Sequence, residues 1–116
     1  MKIKRYEINE NINLKDLFRY GAKENDNVLI KCRFYIDKYI PVKHSDIRVR
    51  LTFNDDITKW NDEDNVSVVN TDAGLIYAPF YEYVHKNEHI TNAKIRDFAQ
   101  QYNDYMDSLP FLKLKK

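Results

Sequence analysis

Glycine is almost missing from this sequence, with two residues in 116, and proline (three) and cysteine (one) are scarce as well. The two glycines, Gly21 and Gly74, lie too far apart to build a Walker loop or a dinucleotide fingerprint, each of which needs several within a few residues. No G-x-S-x-G nucleophile elbow occurs. A lone Cys32 excludes an internal disulfide framework and any multi-cysteine zinc site, which favours a cytoplasmic setting in a bacterial host. There is no run of 18 apolar residues to cross a membrane. The basic start, Met1 to Glu7, is followed by no apolar stretch, so neither a signal peptide nor a membrane partner is expected.

What is present suits one packed core. Hydrophobic residues make up 43% and aromatics 14%, and 116 residues is close to the commonest domain length. Charged residues reach 32%, yet the net charge is only +1, unlike the one-signed composition of disordered chains. Asn, Lys and Ile supply 36 residues while Ala supplies five, the mark of an AT-rich genome such as those of low-GC bacteria and their phages or mobile elements.

The hydrophobic pattern predicts a single α+β domain over 1–112 with a basic tail at 113–116. Its sheet should be mainly antiparallel, with four or five strands, and should carry a short N-terminal helix and a long C-terminal helix packed on one face. Residues 2–8 read as a short strand. Asn13 reads as an N-cap with Asp16 three residues on, Leu14, Leu17 and Phe18 share a helical face, and Gly21 stands at the left-handed exit. Period-2 alternation predicts a strand over 27–40, with Val28, Ile30, Cys32, Phe34 and Ile36 inward. A second strand follows with Ile47, Val49, Leu51 and Phe53 inward, pairing as a hairpin. Residues 54–65 read as an acidic loop holding at most one helical turn. Val66, Val68 and Val69 form a short strand, 70–74 a turn, and 75–84 a second aromatic strand whose Pro79 marks a sheet edge. Thr91 is the expected N-cap of the last helix, with Ile90 and Ile95 as its staple. Ile95, Phe98, Ala99, Tyr102, Tyr105, Met106 and Leu109 form its apolar stripe, and Pro110 stops it.

Candidate chemistry is thin. His85, Glu88 and His89 have an i, i+4 histidine pair, but Lys86 stands where a zinc protease needs its glutamate, so a polar turn is the better reading. The acids Asp55, Asp56, Asp62, Glu63, Asp64 and Asp72 lack the spacing of a calcium loop. No cofactor and no metal is expected, and no catalytic residue is assigned.

Charge is uneven: residues 1–50 carry +5 and residues 51–112 carry −7. Two surfaces follow. In the first, Tyr77, Tyr81 and Tyr83 line one face of the 75–84 strand as contact anchors, with Trp60, Asp62, Glu63 and Asp64 as an acidic rim. In the second, Lys31, Arg33, Tyr35, Arg48 and Arg50 form a basic face on the hairpin, suited to phosphates or an acidic partner. The first surface makes the chain a non-catalytic protein-binding module, a small phage or mobile-element protein that inhibits a host factor in the manner of anti-defence or immunity proteins. Its partner would be a host or phage protein, with a two-fold dimer through the Pro79 edge as a further expectation. Nucleic-acid binding by the basic hairpin is the first alternative, and a virion structural component the second.

Overall fold

The computed structural model describes residues 3–43, 45–70, 77–87 and 92–116. In chain order its elements are β1 (Tyr6–Ile8), α1 (Leu14–Arg19), β2 (Lys23–Glu24), β3 (Phe34–Val42), β4 (Ser45–Phe53), α2 (Asp62–Asn65), β5 (Val66–Asn70), β6 (Tyr77–Pro79), α3 (Phe80–Asn87), α4 (Asn92–Asp107) and β7 (Leu112–Leu114). One turn of 3-10 helix, Ile57–Lys59, precedes α2. Five strands make an antiparallel sheet in the order β2-β3-β4-β5-β6, and β1 pairs with β7 in a separate two-stranded sheet. This is the expected α+β architecture.

The sheet follows from the alternation in β4. Ile47, Val49, Leu51 and Phe53 are all fully buried, and they face Phe34, Ile36, Ile40, Val66 and Val68 from the neighbouring strands. Each such side chain contributes about 1.5–3 kcal/mol over its exposed state. The α4 stripe of Phe98, Ala99, Tyr102 and Met106 closes over the same face, with Ile95 partly buried at its start. Thr91 and Ile90, expected to cap and staple this helix, lie outside the described residues. Among the described residues no helix is long and apolar enough to cross a membrane.

At the N-terminal helix, Asn13 and Asp16 form a reciprocal capping box, and Leu17 is the side chain it buries. Gly21 leaves the helix at φ +95° with open space around its Cα. Gly21→Ala is therefore expected to cost about 1–2 kcal/mol of backbone strain and no steric clash, read as a lower urea midpoint at unchanged slope.

Four expectations need correction. The first strand of the hairpin starts at Phe34, not at residue 27, because β4 ends at Phe53, opposite Phe34. Upstream, the Asn25 amide donates to the carbonyls of Ile30 and Cys32, both at 2.8 Å, and satisfies locally what a ladder would otherwise take. Val28 is then 94% exposed, and Ile30 and Cys32 are only half-buried. Second, the strand expected over 75–84 is β6 followed by α3. Phe80 stacks on Tyr102 at 4.0 Å and Tyr83 meets Phe98 edge-on at 5.9 Å, contacts that only the helical spacing of 80 and 83 can bring to α4. Third, the 54–65 segment holds more than the one helical turn allowed for it: the Ile57–Lys59 turn comes first, and then α2, which Asn61 caps and Asn65 ties to the Thr52 carbonyl at 2.8 Å. Fourth, the basic tail is part of the fold, since β7 pairs residue for residue with β1 and Lys115 N–H donates to the Arg5 carbonyl.

Candidate binding groove

Arg5 enters between β1 and α2 and finds a buried carboxylate. Asp62 accepts from Arg5 Nε and Nη2, both at 2.7 Å, and from the Tyr6 backbone N–H at 3.0 Å. Glu63, exposed, adds a contact to Nη2 at 3.0 Å. Burial alone would push the Asp62 carboxyl up, but the hydrogen bonds from Arg5 and Tyr6 and the guanidinium charge hold it below the ordinary carboxylate range. The same hydrogen bond, donated by Arg5 to Asp62, raises Arg5, against the desolvation of its partly buried head.

Beside this pair opens a groove of about 570 Å³, within the size range of ligand pockets. Phe80, Tyr81 and Val84 of α3 and Ile95 and Ala99 of α4 form its apolar walls. Arg5, Asp62 and Glu63 form the polar end, and Lys4, His85 and Arg96 stand around the mouth. The helices position these walls because 80 and 84, like 95 and 99, are one turn apart. Tyr81 is 54% exposed; it meets His85 edge-on at 4.4 Å, and the Arg5 guanidinium lies 5.7 Å from its ring centre.

Of the residues expected to bind a partner, Tyr81, Asp62 and Glu63 do converge here. The others do not. Tyr83 is 3% exposed, Trp60 is buried against Phe53 with ring centres 6.0 Å apart, and the exposed Asp64, whose carboxylate accepts from Asn61 Nδ2 at 3.0 Å, is not among the groove's lining residues. Asp62 is a buried structural carboxylate rather than a rim charge. Tyr77 lies in β6, but its side chain is outside the described residues, as are Asp72, Glu88 and His89. Sequence reasoning missed Arg5 altogether, because nothing local marks a partner 57 positions away.

The basic hairpin face is largely neutralised. Arg50 donates to Asp37 through Nε at 2.7 Å and Nη2 at 2.9 Å and lies 4.5 Å from the centre of the Tyr35 ring. Arg33 stands between Glu24 at 3.8 Å and Asp55 at 3.6 Å, and Lys31 is exposed on the preceding loop. Arg48 pairs across from Tyr39, and its Nε is buried with no hydrogen-bond partner among the described residues. Cys32 is not in the core. Desolvation raises its thiol, with the nearby Arg50 charge acting the other way.

Under the groove, two tyrosines make a useful contrast. Tyr6 OH donates to Asp107 at 2.8 Å, whereas Tyr102 OH is buried with no hydrogen-bond partner among the described residues. Tyr6→Phe is expected to cost about 1 kcal/mol, while Tyr102→Phe should be neutral or stabilising by about 1 kcal/mol, because it removes a desolvated hydroxyl. Parallel urea melts check the sign; equal losses would mean the Tyr102 hydroxyl is satisfied. Comparison of the chain with protein-family models, with curated proteins and with solved structures finds no match.

Proposed function

We propose that this chain is a non-catalytic protein-binding module, and that the groove between α3 and α4 takes a short apolar segment of a partner protein. The observation that carries this reading is the groove itself: apolar walls open to solvent, ending on a guanidinium that Asp62 holds in place. An apolar anchor would fill the walls, and Tyr81 offers a large, half-exposed ring at little entropy cost. The AT-rich bias of the composition supports a phage or mobile-element source, where a small domain of this kind would inhibit a host factor in the cytoplasm.

Selection of a random peptide library on the immobilised protein tests it. Selected peptides should share an apolar anchor, and Tyr81→Ala should weaken them by about 2 kcal/mol, roughly thirtyfold. Trp60 and Tyr83 are unsuited to such a scan, since truncating either damages the core. Peptides indifferent to Tyr81→Ala would overturn the groove as the site.

The nucleic-acid alternative rests on Arg48, which stands across from the exposed Tyr39 and whose Nε has no hydrogen-bond partner among the described residues. It requires a gel shift that falls with salt at a log–log slope of roughly −0.9 per phosphate contact and that Arg48→Ala abolishes. The Asp37–Arg50 pair weighs against it, because it cancels one of the three arginines of that face, and Glu24 and Asp55 flank a second.

A further inference from the structure

The polar end of the α3–α4 groove has spare hydrogen-bonding capacity but no spare charge. Arg5 spends Nε and Nη2 on the two oxygens of Asp62, both at 2.7 Å, and Glu63 contacts the same Nη2 at 3.0 Å. Nη1 has no hydrogen-bond partner among the described residues, so its N–H donors stay available. The fork is also held in place. Asp62 is 5% exposed and accepts from the Tyr6 backbone N–H as well, which pins the carboxylate and, through the two parallel bonds, the guanidinium plane. A donor fixed before a ligand arrives costs little to use.

The charges nearby are already matched. One guanidinium meets two carboxylates, Lys4 Nζ lies 2.8 Å from Asp107, and Arg96 is engaged as well. An incoming carboxylate would join two others on a single arginine. An ammonium head would bring donors to a nitrogen that only donates. Either ion would also give up its hydration, which costs far more for a full charge than for an amide. A neutral acceptor avoids all three penalties. The neutral acceptor that a polypeptide carries at every residue, apolar ones included, is its main-chain carbonyl.

We infer that the groove takes an internal apolar stretch of a polypeptide, seated by one main-chain carbonyl on Arg5 Nη1, and turns away charged heads such as a free chain end. The inference rests on the groove reading above and names the group by which the segment is recognised. Glu63, exposed beside the fork, is then a specificity residue: its carboxylate repels acids that the guanidinium would otherwise attract.

Three probes with a common aliphatic tail and different heads test it on the full chain: N-methylhexanamide, which carries one peptide group, hexanoate and hexylammonium. Each is titrated near neutral pH while the backbone NMR signals of Ile95 and Ala99, in the apolar wall, and the Arg5 Nε–H signal are followed. The amide should bind tighter than either ion by about fivefold or more, the worth of one net hydrogen bond. Glu63→Gln removes the charge from an exposed side chain, so the fold should be kept, and the ratio of amide to hexanoate affinity should fall toward unity. Hexanoate or hexylammonium binding as tightly as the amide, or a ratio that Glu63→Gln leaves unchanged, would overturn the inference while the groove still stands as the site. If none of the three probes moves the Ile95 and Ala99 signals, the groove reading fails and this inference with it.

Discussion

Asp62→Ala is expected to lower stability by about 3 kcal/mol, the usual scale for removing one partner of a buried ion pair. The substitution strands three donors at once: Arg5 Nε, Arg5 Nη2 and the buried Tyr6 N–H. Glu63 remains beside Arg5, which moderates the charge penalty, but nothing replaces the acceptor for Tyr6. The loss carries a pH signature. The folded-state pKa of Asp62 is depressed, so its contribution is fully present above the unfolded carboxylate value of about 4 and disappears as pH falls through the folded value. Asp107, held low first by its hydrogen bond from Lys4 and also by Tyr6 OH, weakens in the same window. The stability gap between wild type and Asp62→Ala should therefore be flat from pH 7 to about 5 and narrow below about 4. Urea melts across that range decide it. A gap that stays constant down to pH 2 would mean that Asp62 acts through packing rather than charge.

The parts legible in the sequence share one property: their pattern agrees with the contacts the fold offers. The α4 stripe from Ile95 to Met106 has a sheet to cover, β4 has partners on both sides, and Asn13 has Asp16 three residues away. The misread parts have a pattern without such a partner. Val28, Ile30 and Cys32 alternate as a strand would, but the register of β4 runs out opposite Phe34, and the Asn25 side chain captures the carbonyls. Tyr81 and Tyr83 carry the aromatic bias of a strand, yet Phe80 and Tyr83 are one helical turn apart and α4 offers Phe98 and Tyr102 to pack on, so tertiary contact overrides local preference.

The candidate site was legible only in fragments for the same reason. Tyr81, Asp62 and Glu63 were singled out as anchor and rim, but their meeting depends on Arg5 and on the β1–β7 pairing that brings the two ends of the chain together. The composition is basic in its first half and acidic in its second, and folding draws part of that charge into pairs: Arg5 with Asp62, Arg50 with Asp37, Lys113 with Glu7. Of the tyrosines expected on the 75–84 strand, Tyr81 is the exposed one among the described side chains, on α3.

Phe53→Ala is expected to cost about 3–5 kcal/mol, while Val28→Ser should fall within about 0.5 kcal/mol of the wild type. Alternation places both side chains on the inward face of one hairpin, so their difference isolates what the fold adds. Phe53 is fully buried where three aromatic groups meet, stacked on Trp60 at 6.0 Å and edge-on to Phe111 at 5.9 Å. Truncation leaves a cavity that two rigid rings cannot close, and it loosens the anchor that holds the Ile57–Lys59 turn and α2 against the sheet. Since α2 carries Asp62, the groove should weaken along with the core: peptides selected on the wild type should bind Phe53→Ala less tightly even where the variant is still folded. Val28 is 94% exposed, so Val28→Ser should leave the melt unmoved. Urea denaturation at unchanged slope provides the comparison. A loss above about 1 kcal/mol for Val28→Ser would place that side chain in the core.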